Sequence, residues 1–238
     1  MADPSDLAVG GVMAYAAKPL IEGLTKTATD LFMRVVGPSA DEVGKALGSR
    51  TRKVMRINEV LEASQEQIAA AGLEANPIED KLLFPLMEGI AVEDNEDLKR
   101  CWASLLANAS TESNAVQVKF VSMLAELEPK EASLLNALYE KRCSMSSYLQ
   151  FDPNATLTES LEWEGVRIDM ELSGTFWATR RQDDADYQLA VFALFRLGVL
   201  GRIETNATPE RPHRAFGVRI NRLGMLFVKA CRPPEPKS

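Results

Sequence analysis

Along most of the first 140 positions, apolar residues return at intervals of three, four or seven, which predicts helices rather than strands. Val43, Leu47, Val54, Ile57, Leu61 and Ile68 mark one buried face of a long helix. The spacing predicts that this helix opens at a Ser39–Glu42 capping box, just after the Gly37-Pro38 break. It should end at Ala71, with Gly72 as its C-terminal cap and Arg50, Arg52, Lys53 and Arg56 off the buried face. After Asn76-Pro77, the stretch Ile78 to Ala91 is strongly apolar, and Pro85 inside it should kink or split the helix. Further helices are expected from Asp94/Asp97 to about Ala109, over roughly Val116 to Glu126, and from Pro129 to near Arg142. Ahead of them all, Leu7 to Val36 is rich in Ala, Gly and Thr and apolar on more than one face.

From Cys143 to Thr179 the periodicity fades, interrupted by Pro153, Asn154, Gly165 and Gly174, although Val166 to Leu172 alternates like a short strand. A helical pattern resumes at Asp186 with Leu189, Phe192, Phe195 and Leu197 as its apolar positions, and it stops at Gly198. Val199 to Glu204 and Ala215 to Ile220 read as two strands around a turn-rich tip, and Asn221 is placed to cap a last helix, Arg222 to Cys231. The expected fold is mainly α. A bundle-like helical domain covers 1–142, a linker or irregular insertion 143–180, and a winged-helix-like α+β module with a Pro-rich tail 181–238.

Composition excludes two classes. With 46% hydrophobic and 26% charged residues, the chain is neither wholly disordered nor a polytopic membrane protein. The three cysteines, Cys101, Cys143 and Cys231, are far apart and in no metal-ligand spacing, which predicts free thiols in a reducing, cytoplasmic setting. Asp3 and Asp6 occupy the place where a signal peptide would carry basic residues. The net charge of −7 is unevenly spread: +2 over residues 1–57, −14 over 58–177 and +5 over 178–238. Charge runs are ordinarily solvated faces, but sorting of this kind also suits modules with different partners.

The chemistry open to the chain is narrow. His213 is the only histidine and sits in a turn between Pro212 and Arg214, which argues against Ser-His-Asp chemistry and against a His-rich metal site. There is no HExxH, no paired CxxC and no phosphate-binding GxxxxGK[ST] loop. The adjacent carboxylates Glu93-Asp94 and Glu96-Asp97 lie where a helix N-terminus favours negative charge, so capping explains them better than catalysis. The expectation is a protein that is not an enzyme, with no catalytic residues, no cofactor and no metal. Arg202, Arg211, Arg214, Arg219 and Arg222 form a C-terminal basic set that would meet phosphates if carried on a wing. The helix before the wing carries Asp183, Asp184 and Asp186, so it is poorly equipped to read DNA.

One stretch carries a family resemblance. The Trp-Ala-x-Leu-Leu-Ala-Asn-Ala core at Trp102 to Ala109, followed by Phe120-Val121 and the Leu-x-Pro-x-Glu-Ala turn at Leu127 to Ala132, resembles the Abi-alpha (abortive infection alpha) family. The upstream "KLLFPLMEGIAVEDNEDL" and "VGPSADEVGKAL" are similar to that family's apolar segment and N-terminal helix, so the likeness covers about residues 20 to 140. The C-terminal "LFRLGVLGRIE" and "VRINRLGMLFVKAC" resemble its winged end more weakly. The resemblance implies anti-phage defence and brings no catalytic residues. Trp102, Leu105 and Leu106 look like a helix–helix contact, with Asn108 as a cap or turn residue near the helix end.

The leading expectation is a non-enzymatic defence protein that senses or scaffolds through a protein partner, either a phage product or a co-encoded defence protein, with a homo-oligomer as a further option. A second reading is a membrane-acting effector that associates with lipid on activation through Val9, Gly10, Gly11, Val12, Met13, Ala14, Leu20 and Ile21. A third, less favoured, is a nucleic-acid-binding regulator acting through the C-terminal arginines.

Overall fold

The computed structural model describes residues 18–47, 51–111, 116–151, 159–163, 166–170, 176–178, 185–203 and 217–236. The protein is mainly helical, with an antiparallel sheet toward the C-terminus. It divides into two compact units, Met1–Ala125 with Pro233–Ser238, and Glu126–Arg232.

The first unit is all helical among the described residues: α1 (Lys18–Ile21), α2 (Lys26–Val36), α3 (Ala40–Leu47), α4 (Thr51–Ala70), α5 (Asp80–Val92), α6 (Glu96–Thr111) and α7 (Val118–Ala125). The long helix expected from Ser39 to Ala71 appears as α3 and α4, with residues 48–50 outside the described set. The Ser39–Glu42 capping box is not what opens α3. Gly37–Ser39 forms a 3₁₀ turn that runs straight into it, and the Ser39 hydroxyl donates to Asp80 Oδ1 at the start of α5. The C-terminal end of α4 follows expectation. Gly72 takes a left-handed φ of 64°, its N–H bonds Ala69 O (3.0 Å), and Leu73 N–H bonds Ile68 O (3.0 Å), a Schellman closure. Helix α5 continues through Pro85 without splitting.

Helix α6 is the centre of this unit, packed by α4, α5 and α7. Asn95 caps its start, its Oδ1 accepting from Asp97 N (3.0 Å) and Leu98 N (3.1 Å). Every residue from Trp102 to Ser110 is buried, so its polar side chains must find partners on their own helix. Ser104 Oγ donates to Arg100 O, Asn108 Nδ2 to Ser104 O, and Ser110 Oγ to Ala107 O, each at 3.0 Å. Asn108 therefore sits inside the helix, which runs on to Thr111, and is not a cap. Trp102, Leu105 and Leu106 are fully buried, as a helix–helix contact requires, and each contributes about 1.5–3 kcal/mol or more of transfer free energy. The Trp102 ring lies directly against Gly89 of α5, the one position there with no Cβ to displace it.

The second unit contains α8 (Pro129–Phe151), β1 (Glu159–Trp163), β2 (Val166–Met170), β3 (Phe176–Ala178), α9 (Ala185–Arg196), β4 (Leu200–Ile203), β5 (Gly217–Ile220) and α10 (Arg222–Ala230). All strand pairs are antiparallel, in the order β1-β2-β3-β5-β4. Helix, hairpin and helix follow one another as expected over 181–238. The hairpin is nevertheless not a free wing, because β3 pairs with the other edge of β5 through Phe176↔Val218. Segment 143–180, read as a linker or irregular insertion, holds the last turns of α8 and β1 to β3. No glycine or proline interrupts 143–151, and α8 runs through them to Phe151. Strand β2 falls where Val166 to Leu172 alternates as expected, whereas β1 and β3, five and three residues long, went unread.

Candidate functional site

Helix α9 owes its seat to Tyr187, Ala190, Val191 and Leu194, the buried stripe that faces α8 and β4. It ends like α4: Gly198 takes a φ of 74°, its N–H bonds Phe195 O (2.9 Å), and Val199 N–H bonds Leu194 O (3.2 Å). Two ion pairs hold it at its ends, Asp186 with Lys130 and Arg196 with Glu126 (3.9 Å). These are well exposed and so add little stability. The helical pattern of Leu189, Phe192, Phe195 and Leu197 does form a helix, but these residues do not share its inner face. Leu189 is 66% exposed and Phe192 61%, while Leu197 is buried and Phe195 half-buried. At 100° per residue, Ala185, Leu189, Phe192 and Arg196 form a single stripe opposite the core. The sequence did hold this signal, since 187, 190, 191 and 194 make a second, equally helical apolar stripe.

Below α9, Arg232 ties the end of α10 to α8. Its Nη2 donates to Asn136 Oδ1 (2.6 Å) and Glu140 Oε1 (2.9 Å), and its guanidinium lies 4.6 Å from the centre of the Tyr139 ring. Burial, then Cys143 one turn on, push the Tyr139 phenol above its ordinary value against the pull of Arg232 and Lys229. Asn221 caps α10, its Oδ1 accepting from Gly224 N (2.9 Å) while its Nδ2 donates to Gly198 O (2.7 Å). These contacts fix the frame behind α9, and none forms a reactive constellation.

The arginine set is only partly in view. Arg219 on β5 and Arg222 at the start of α10 are exposed. Arg202 stands opposite Val218 in the β4–β5 ladder, and Arg219 stands opposite Gly201. Arg211 and Arg214, with His213, lie outside the described residues, as do Val9 to Ala14 of the proposed membrane segment. Leu20 in α1 is buried and Ile21 half-buried, so Leu20 is committed to the core of its unit. Among the described residues no helix is long and apolar enough to cross a membrane, and no group of His, Cys, Asp and Glu is arranged to hold a metal.

A family model described as abortive infection alpha matches residues 52–231, from the start of α4 to the residue after α10. The chain belongs to the abortive infection alpha family. The match begins later than the resemblance did, leaving "VGPSADEVGKAL" outside it, and it takes in the whole C-terminal half, including α9. Neither the curated proteins nor the solved structures contain a match. Within the abortive infection alpha region, Trp102 and its neighbours are interior residues, whereas Leu189 and Phe192 are the large apolar side chains that α9 leaves in solvent.

Proposed function

We propose that this abortive infection alpha protein is a phage-defence protein that works in the cytoplasm without catalysis, as a sensor or scaffold that acts by protein contact. One observation carries the reading: α9 turns Leu189 and Phe192 outward on a helix whose core stripe is already filled. An adjacent pair of exposed large apolar side chains on a rigid helix is the usual anchor of a protein interface. Helix α9 as a whole carries one acid and one base and so offers no excess of positive charge of the kind phosphate binding requires. Free thiols at Cys101, Cys143 and Cys231 support a reducing compartment.

The test is phage challenge of bacteria expressing the full chain or its Leu189→Glu/Phe192→Glu variant. Protection should fall at least about tenfold in plaque counts, the loss expected when a desolvated apolar anchor is replaced by charge, while circular dichroism stays unchanged. A variant that protects as well as the parent sinks the reading. The exposed Arg219 and Arg222 support nucleic-acid contact as a second reading. It requires duplex binding with a steep salt dependence that Arg219→Ala/Arg222→Ala flattens.

A further inference from the structure

We infer that the occupant of the exposed α9 face is a second copy of the chain, the two α9 helices packing antiparallel about a two-fold axis. The inference rests on the contact reading above and names its partner. The argument is one of self-complementarity. Along α9 the outward stripe carries Leu189, Phe192 and Arg196, and Asp186 stands at its flank in the first turn: two apolar anchors, a base and a flanking acid. The apolar pair is centred between residues 190 and 191 and the charged pair on residue 191, half a residue (about 0.8 Å) apart, so one axis midway serves both. A two-fold axis through that midpoint sets Leu189 and Phe192 of each copy against those of the other. It also sets Asp186 of each copy against Arg196 of the other, about 15 Å apart along the helix at 1.5 Å per residue.

A parallel arrangement would instead oppose Asp186 to Asp186 and Arg196 to Arg196, so the charges select the antiparallel one. Asp186 is 58% exposed beside Lys130 and Arg196 is 71% exposed beside Glu126, so each keeps room for a second partner. The four charges at each end then alternate in sign. Ala185 and Ala193 offer little bulk on either side of the anchors and allow close approach. One helix of twelve residues covers less than the roughly 800 Å² per partner of a standard interface. The dimer is therefore a dissociating one, formed in the micromolar range and above.

Sedimentation of the full chain from about 1 to about 300 µM spans the range in which a contact of this size dissociates. The wild type should shift from monomer to dimer, and Leu189→Glu/Phe192→Glu should remain monomeric. Asp186→Arg alone and Arg196→Asp alone each put like charges at both ends of the contact and should weaken it at least about tenfold. Mixed in equal amounts, those two single variants should associate again as a heterodimer, and the Asp186→Arg/Arg196→Asp double variant should self-associate like the wild type. Unchanged circular dichroism establishes that each variant is folded. A wild type that stays monomeric at the highest concentration overturns the inference, and so does a mixture that fails to recover association. The phage assay separates the two levels. If Leu189→Glu/Phe192→Glu loses protection while the wild type never dimerises, protein contact stands and the second copy falls. If protection is untouched, the contact reading fails whatever the sedimentation shows.

Discussion

Replacing Gly89 by alanine should destabilise the first unit, although helix propensity alone predicts the opposite. Gly89 lies in the interior of α5, where alanine is favoured by about 0.8–1 kcal/mol. A Cβ built there would stand 2.3 Å from Trp102 Cη2, 2.7 Å from Cζ2 and 2.9 Å from Cζ3. Carbon atoms approach to about 3.5 Å at best, so ring or helix must yield about 1.2 Å. Trp102 has little room to do so: it is 1% exposed, and its Nε1 donates to Glu93 Oε2 at 3.4 Å. Glu93 is itself engaged, its Oε1 accepting from Asn95 N at 2.8 Å. Overpacking of a tight site costs about 1–3 kcal/mol, and a rigid aromatic neighbour puts this one in the upper part of that range. Less the propensity gain, Gly89→Ala should cost about 1–2 kcal/mol. Urea titration followed by circular dichroism should show a lower midpoint at unchanged slope. In a Trp102→Leu background the clash is gone, and the same substitution should become neutral or stabilising by up to about 1 kcal/mol. A Gly89→Ala protein more stable than the wild type, with Trp102 in place, would refute the packing argument.

Three further outcomes follow from the contacts of α6, α8 and α10. Asn221→Ala removes the cap of α10 and the bond to Gly198 O, and should cost about 1–2 kcal/mol in the second unit, while Asn221→Ser recovers the capping part. Arg232→Ala should cost about 1–2 kcal/mol by losing the Glu140 and Asn136 bonds and the stacking on Tyr139. Arg232→Lys should recover only part of this, because an ammonium cannot serve both oxygens and the ring in one plane. Hydrogen bonds to Glu59 and then to Glu96 hold the Lys99 ammonium above its ordinary value of 10.5. Its stabilising effect is thus full below that pH and lost as pH rises through the raised value. The urea midpoints of wild type and Lys99→Met should differ at pH 8 and converge as pH rises through the raised value.

Where the sequence carries a single strong period or a residue with a forced conformation, its reading and the structure coincide. Gly72, Gly198 and Asn221 end or open helices where their chemistry requires, since a left-handed φ and a short side-chain acceptor each have few alternatives. Ser39 misleads for a related reason: its hydroxyl serves equally well as a donor, and Asp80, 41 residues on, takes it. Asn108 misleads as well. Amides are frequent at helix ends, and only the fully buried setting of α6 explains one that bonds back to its own helix. Alternation marks β2 in the sequence, but β1 and β3 are too short for it to register, and β3 joins the sheet through pairing with β2 and the distant β5. The match over residues 52–231 gives the C-terminal half the same family identity as the Trp102 region, which the local motifs suggested only weakly.

Helix α9 shows most clearly why periodicity and burial differ. A twelve-residue helix with apolar side chains at 187, 190, 191 and 194 and again at 189 and 192 has two defensible inner faces. Composition cannot choose between them, because Leu and Phe are more apolar than the Ala and Val that are in fact buried. The neighbours decide. Lys130 and Glu126 take the charged ends of the helix from one side, and Tyr187 and Leu194 fit against α8 and β4. Leaving Leu189 and Phe192 more than 60% exposed forgoes about 1–2 kcal/mol of burial at each residue. The isolated fold gains little from them, so Leu189→Glu/Phe192→Glu should leave the urea midpoint of the second unit within about 0.5 kcal/mol of wild type. The residues that seat α9 are thus distinct from those it offers to a partner. A loss of protection in that variant would report on contact alone, because the fold does not depend on either side chain.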